Sequence, residues 1–424
     1  MWSRPENPVK IQPSQLKPGV FVWLDVGWQD HPFFTNKFRI TSQAEINQII
    51  ALGLPHVYYY PNKSTSAPAP VPMPESAPVP VATTPALEAV AAPKISEKKA
   101  LLQKQKDAAA RADRGWERAS NQVREVLLDL GRQPKKAGAA LSSLTQETAK
   151  MISGSDEVLL HLLGDKNGSG PQFHALNVMT LSMVLGKAMN LSESDLGDLA
   201  MGALAHDAGL GKVPLPIIQA KNRQRHEEAF YREHCQYGVE FAKAAGVFSQ
   251  QAINIIQDHH EFVDGSGYPA QKTAIAPLAS IVAVVNRYDE LCSPDSPAQR
   301  SLMPAEALAH IYAKENGKFD KRILNLLIRI LGVYPPGTIV ALSDGLLGLV
   351  VSPGKASLRP KVLIYEQDLP KDEAAVADLS DIPDLKIDES IRPETLPPDV
   401  LKWLNPRQRL SYFFSVEQTS LADN

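Results

Sequence analysis

The spacing of apolar and polar residues divides the chain into three parts with different secondary structure. In residues 1–62, β-branched and aromatic runs predict strands at 20–24 and 56–60. Between them, Ser42 and Glu45 form a capping box that opens a short helix. These features predict a small α+β module at the N-terminus.

The stretch after this module changes composition twice. Residues 63–94 are rich in proline and alanine, which predicts an extended linker that buries no core. Residues 95–139 carry lysine, glutamate and alanine around apolar positions at helical spacing, which predicts an amphipathic connector helix. This helix is expected either to fold on the next domain or to form a dimer and transmit a signal.

Residues 140–335 follow the helical period throughout, with little strand signal. Short alternating runs then predict a small β appendage at 336–366. Residues 367–424 form an acidic, proline-rich tail in which only 400–414 is expected to form helix or dock. The predicted fold class is therefore mainly α, with an all-helical domain between two small modules.

Several polar residues interrupt the apolar faces of the predicted helices. His234 shares a stripe with Phe230, Tyr237 and Phe241, where an unpartnered histidine would be costly. The helix containing 281–291 carries Asn286 and Asp289 inward. Imidazole and carboxylate groups suit iron, manganese, zinc and similar ions. A pooled set of this kind predicts a metal site between helices, with room for two ions, whose members are His174, His206, Asp207, His234, His259 and His260.

The doublet His206-Asp207 and the run from His259 to Pro269 resemble the signatures of the HD-GYP phosphodiesterases, a branch of the HD metal-hydrolase superfamily. The resemblance covers about 171–331. Residues 9–33 also resemble a domain of unknown function that often precedes HD-GYP domains. The family hydrolyses cyclic di-GMP, a bacterial second messenger, to pGpG and in some cases to GMP.

The resemblance implies a role for each motif residue. The metal ligands would be His174, His206, Asp207, His234, His259, His260 and Asn286. They would hold two divalent ions, and iron and manganese are the metals that we expect before others. Asp207 would bridge the ions as a catalytic residue, and two such cations can neutralise a phosphodiester and activate water. The substrate would contact Gly265, Gly267, Tyr268, Pro269 and Arg300.

Two positions depart from the family pattern. Leu210 stands where the family usually has a phosphate-binding lysine, so Lys212 is the expected catalytic substitute. Asn286 stands where the family usually has an aspartate ligand. Because both changes weaken the hydrolase interpretation, two alternatives stay open: a non-hydrolytic cyclic di-GMP receptor and a phosphohydrolase of another nucleotide.

Composition limits the partners. The net charge of −3 provides no global field for a nucleic acid polymer. No apolar run approaches the roughly 20 residues that a membrane span needs, and no signal peptide is evident. We therefore expect a cytoplasmic protein that binds cyclic di-GMP, with a possible homodimer contact through 95–139.

Overall fold

The computed structural model covers the 424-residue chain. It describes residues 8–26, 31–33, 37–70, 103, 107, 114, 116–153, 157–162, 170–294, 299–367, 369–371, 374, 376–404 and 412–417. The chain divides into two compact units, each held together by its own internal contacts. The first contains residues 1–108, 343–346 and 364–377, and the second contains the remainder of the chain. The predicted linker at 63–94 lies outside the described residues from 71 onwards.

The N-terminal unit contains a four-stranded sheet in the order β1-β4-β2-β3. Its strands are β1 Val9–Ile11, β2 Phe21–Trp23, β3 Lys37–Arg39 and β4 Val57–Tyr59. Helix α1, Gln43–Ala51, begins at the predicted capping box, where the Ser42 side chain accepts from the Glu45 N–H. Ile46 and Ile49 of α1 join the buried strand residues in one apolar core. The predicted α+β module is thus present.

The second unit contains the large helical domain. Its helices are α2 (described over 116–130), α3 Pro134–Ser153, α4 Pro171–Ala188, α5 Glu193–Ala205, α6 Leu215–Ile218, α7 Arg225–Arg232, α8 His234–Ala245, α9 Gln250–Asp258, α10 Pro277–Cys292, α11 Pro304–His310 and α12 Lys321–Leu331. Helix α4 is buried on nearly every side because it packs against both α5 and α10. Within the described ranges, no helix combines the length and hydropathy that a bilayer crossing requires. The predicted mainly α fold class is confirmed.

Two predicted helices are interrupted. The connector helix expected over 95–139 ends at 130, and residues 131–133 form a turn before α3. Gly131 ends one helix and Pro134 opens the next, in the positions that these residues favour. The stripe from Phe230 to Phe241 is likewise divided at Glu233 between α7 and α8, and Phe230 is 37% exposed.

The C-terminal strands extend beyond the predicted appendage at 336–366. A five-stranded sheet in the order β10-β6-β7-β8-β9 contains β6 Ile339–Leu342, β7 Leu347–Ala356, β8 Arg359–Ile364, β9 Val376–Asp378 and β10 Ile387–Ile391. In the tail, α13 spans Pro398–Leu404, inside the stretch expected to form helix. Strand β5, Glu157–Leu162, pairs antiparallel with β11, Tyr412–Glu417, so the helical region also contains a strand that its pattern did not predict.

Candidate metal centre

Helix ends bring five buried histidines together. His174 lies in the first turn of α4, His206 caps the C-terminus of α5, and His234 begins α8. His259 caps the C-terminus of α9, and His260 follows it. All five are at most 8% exposed. The structure therefore gathers every histidine that the sequence predicted for the site.

Asp207 lies at the centre of the cluster with its two oxygens facing different histidines. Oδ2 is 3.6 Å from His174 Nε2 and 3.4 Å from His206 Nε2. Oδ1 is 3.4 Å from both His234 Nε2 and His259 Nε2. Two groups able to hold an ion share this carboxylate: His174, His206 and Asp207 in one, and Asp207, His234, His259 and His260 in the other. This arrangement suits a carboxylate that bridges two cations.

The outer ring nitrogens fix the direction of four imidazoles, and that of His174 lies 2.7 Å from the Asp289 carboxylate. Nδ1 of His206, His234 and His259 lies 2.7, 2.7 and 2.9 Å from the backbone carbonyl three residues earlier. Since a carbonyl only accepts hydrogen bonds, each Nδ1 carries the proton. In the neutral ring, the lone pair then belongs to Nε2, which points into the cluster.

Two pairs of inward-facing Nε2 atoms are so close that their lone pairs would repel each other unless a proton or a cation lay between them. His174 Nε2 and His206 Nε2 are 3.1 Å apart, and His234 Nε2 and His259 Nε2 are 3.3 Å apart. With both Nδ1 atoms of a pair protonated, no N–H lies between two neutral rings to join them. A cation near each pair would relieve this repulsion, so the donor set fits a metal centre.

The charge states also suit metal binding. Burial lowers the pKa of His259 from 6.5 to about 4, and it lowers the pKa of His234 and His260 as well. Burial alone would raise the Asp207 pKa, but the surrounding histidines outweigh it and hold that pKa well below its usual value. Near neutral pH, His234, His259 and His260 therefore present neutral imidazoles beside the anionic Asp207 carboxylate.

Asp289 is part of the site although the sequence did not assign it a role there. Its buried carboxylate accepts from His174 Nδ1 at 2.7 Å and from Asn177 Nδ2 at 2.9 Å. A carboxylate behind a histidine orients the ring and makes the opposite nitrogen a better donor to a metal. The available signal was that Asp289 follows Asn286 by three residues, on the same inward face of α10.

Asn286 is 1% exposed and lies one turn before Asp289 on α10. Its Nδ2 donates to Glu290 Oε1 at 3.1 Å. Its buried Oδ1 has no hydrogen-bond partner among the described residues. A buried carbonyl oxygen without a partner is uncommon and marks a position where an ion or a water would be favourable.

The loop from Gly265 to Pro269 packs against the cluster. Tyr268 stacks on His260, with ring centroids 4.5 Å apart and an interplanar angle of 23°. Gly267 must be a glycine, since a Cβ there would lie 2.5 Å from both the His260 carbonyl oxygen and the Phe262 nitrogen. Buried Glu261 supports the loop by accepting from the backbone N–H groups of Ala270 and Lys272. Asp264 accepts from the Ser266 N–H and hydroxyl inside the loop.

Two predicted site residues lie elsewhere. Lys212 ends the short 3₁₀ turn after the doublet, and its ammonium pairs with Glu240 at 2.9 Å and lies over the rings of Tyr237 and Phe241. Arg300 is exposed in the segment between α10 and α11. Among the described residues, no contact joins either cation to the histidine cluster.

Comparison with protein families gives two matches on this chain. A domain of unknown function, DUF3391, matches residues 9–140, and the HD domain matches residues 125–323. The two matched ranges overlap at residues 125–140. The residues of the HD match contain all six histidine and aspartate positions of the cluster. The resemblance to the HD-GYP branch, based on the doublet and the glycine loop, is confirmed.

Curated proteins similar to this chain are phosphodiesterases by name. A cyclic di-GMP phosphodiesterase of Pseudomonas aeruginosa is 28% identical over 84% of this chain and 84% of its own. A cyclic di-GMP phosphodiesterase response regulator of Xanthomonas campestris is 32% identical over 34% of this chain and 39% of its own. The match to a solved HD-GYP-type protein of Bdellovibrio bacteriovorus covers 76% of this chain and 98% of that protein, at 18% identity and a TM-score of 0.39.

Proposed function

We propose that this chain is a metal-dependent phosphodiesterase that hydrolyses cyclic di-GMP to pGpG, with GMP as a further product. The observation that carries the proposal is the position of Asp207, whose two oxygens each face a separate pair of inward-pointing histidine nitrogens. The name of the Pseudomonas relative, which matches most of this chain, supports the same substrate.

The proposed centre holds two divalent transition-metal ions. Iron and manganese are the metals that we expect before others, because the donors are mainly imidazoles. When bound, two such ions neutralise the phosphodiester, activate water and stabilise the leaving oxygen. Burial keeps the imidazoles of His234, His259 and His260 neutral, and the neighbouring histidines keep Asp207 charged. The Tyr268 loop walls the centre on the His260 side and would position the substrate.

The decisive experiment is incubation of anaerobically metal-reconstituted protein with cyclic di-GMP, followed by chromatographic separation of the products. Elemental analysis of the same sample should give about two ions per chain. The variant His260→Ala should lose metal and turnover together, because solvent does not replace a protein ligand at equal affinity. His226→Ala is the matched control, since His226 is exposed on α7 and contributes nothing to the cluster.

The outcomes separate the alternatives. Tight binding of cyclic di-GMP without hydrolysis would identify a receptor that keeps the metal centre. Faster hydrolysis of 3'3'-cGAMP than of cyclic di-GMP would identify a different nucleotide as substrate, as in the Vibrio cholerae relative named a 3'3'-cGAMP-specific phosphodiesterase. Less than half an ion per chain, or full activity in His260→Ala, would contradict the proposed centre.

The setting of this activity is also proposed. The substrate is a second messenger of the bacterial cytoplasm, so the protein would act there. We further propose a homodimer formed through the helix predicted at 95–139. Of the residues before 116 in that range, the structure describes only 103, 107 and 114. Mass measurement of the intact chain in solution, compared with a chain lacking residues 95–115, tests the dimer.

A further inference from the structure

A column of side chains leads from the metal centre towards solvent. Tyr268 stacks on His260, and the Arg232 guanidinium carbon lies 4.8 Å from the centre of the Tyr268 ring. Arg232 is the last residue of α7, two positions before His234. The guanidinium is therefore separated from a candidate metal ligand by one aromatic ring.

This column opens into a cleft of ≈ 200 Å³ outside the histidine cluster. Its polar walls come from two places: Arg232, Glu233 and Gln236 at the junction of α7 and α8, and Gln271 after the glycine loop. Gly267 and Tyr268 form its inner side. The cleft is thus lined on one side by the predicted substrate loop and on the other by residues to which no role has been assigned.

The arginine is held in place but keeps unused donors. Its Nε donates to Glu228 Oε1 at 2.8 Å, one turn earlier on α7. The contact with Tyr268 is a cation–π interaction, which consumes no N–H group. Within the described chain, the two Nη atoms make no hydrogen bond, so they remain free to donate to a ligand in the cleft.

The backbone of Gln271 also points to a binding role for this wall. Gln271 has a φ of +57°, a left-handed conformation that is uncommon for residues other than glycine, asparagine and aspartate. Residues held in such conformations cluster at ligand-binding and active sites. Among the described residues, the side chains of Glu233, Gln236 and Gln271 form no hydrogen bonds, so their polar groups are available to a ligand.

We infer that this cleft binds a guanine base of the substrate, with Arg232 donating to O6 and N7 and Glu233 accepting from the N1–H and the 2-amino group. Arginine paired with O6 and N7 is the commonest specific contact to guanine. Adenine offers an amino group in place of O6 and carries no N1–H, so the same pair of charges would reject it. The inference rests on the proposed cyclic dinucleotide substrate and extends it by naming the residues that select the base.

The test compares substrates that share a phosphodiester and differ in their bases. Steady-state hydrolysis would be measured for cyclic di-GMP, cyclic di-AMP and bis(p-nitrophenyl) phosphate, which has no base. Arg232→Ala should raise the KM for cyclic di-GMP roughly 10- to 100-fold, as expected for loss of a bidentate base contact. The loss on bis(p-nitrophenyl) phosphate should be far smaller. Arg225→Ala, which changes an exposed arginine on the same helix, is the matched control.

Two conservative variants separate base recognition from simple attraction of phosphate. Arg232→Lys keeps the charge but not the planar fork, so it should remain defective with cyclic di-GMP. Glu233→Gln should reduce the preference for cyclic di-GMP over cyclic di-AMP. Full rescue by lysine, or equal losses on all three substrates, would overturn the inference in favour of a phosphate-binding or structural role.

A binding measurement keeps this test independent of turnover. If the metal-loaded protein hydrolyses none of these substrates, the proposed function fails, yet equilibrium binding of cyclic di-GMP and cyclic di-AMP still reports on the cleft. Retained selectivity for guanine that Arg232→Ala abolishes would support the cleft even then. Equal affinity of the unaltered protein for both dinucleotides would refute it.

Discussion

Removal of the carboxylate behind His174 is expected to weaken metal binding without removing any metal ligand. In Asp289→Ala, the His174 Nδ1–H loses its acceptor at 2.7 Å in a fully buried position. A buried donor without a partner costs about 1–3 kcal/mol. The ring can escape this cost by moving its proton to Nε2, which faces His206 Nε2 and Asp207. A protonated Nε2 can no longer bind an ion.

The expected loss of metal affinity follows from this shift of the His174 proton to Nε2. Loss of a partner that orients a metal-binding histidine typically reduces metal affinity about 10- to 100-fold, which corresponds to about 1.4–2.8 kcal/mol. Only the group with His174 and His206 should weaken, because His234 and His259 are oriented by backbone carbonyls. We therefore expect one of two ions to be lost first.

The assay is titration of apo protein with Mn²⁺ in competition with a chelating dye, with circular dichroism to confirm folding. Asp289→Asn restores an uncharged acceptor and should recover part of the lost affinity. Asn177→Ala is the control, because it removes the other donor to Asp289 and leaves the contact with His174 intact. If Asp289→Ala binds both ions within twofold of the unaltered protein, Asp289 does not set the His174 tautomer.

Three further predictions concern single positions. Asn286→Asp adds a carboxylate one turn before Asp289, so it should tighten the second ion and speed hydrolysis at limiting metal; identical metal titrations would place residue 286 outside the ligand set. The apo protein should lose stability as pH falls from 6.5 to about 4, because the unfolded state binds more protons at His259 over that window. The loss should be about 1.4 kcal/mol per pH unit from this residue alone, and a urea midpoint that stays constant from pH 7 to pH 5 would contradict it. Gly209→Ala should destabilise the fold and weaken metal binding, because a Cβ would lie 2.6 Å from Gly238 N and collide with the His234 carbonyl; unchanged thermal unfolding would show that α8 can shift to accept it.

The histidine cluster could be predicted because its signals are local. Polar residues at fixed places within apolar helical patterns require a buried partner, whatever the tertiary structure. The role of Asp289 could not be read in this way, because it depends on how α10 packs against α4. The same limit applies to Lys212, whose direction is set by the short 3₁₀ turn Ala208–Lys212 and not by its distance from Asp207 along the sequence.

The misread secondary structure has two different causes. The turn at 131–133 had its usual signals, Gly131 before it and Pro134 after it, and the helical period on both sides obscured them. Strand Glu157–Leu162 had no such signal, because a short apolar run fits helix and strand equally well. Its identity is decided by pairing with Tyr412–Glu417 near the other end of the chain, which no local pattern contains.

The bonds from His206, His234 and His259 to the carbonyl three residues earlier have a consequence for how such a centre can arise. Each histidine and the group that orients it lie within four consecutive residues, so the ligand and its alignment are inherited together. A helix C-terminus also exposes carbonyl groups with partial negative charge, which favours a cation nearby. Grafting such four-residue helix endings onto an unrelated helical scaffold should carry ligand orientation with them, leaving the designer only the convergence of the helices and one shared carboxylate to build.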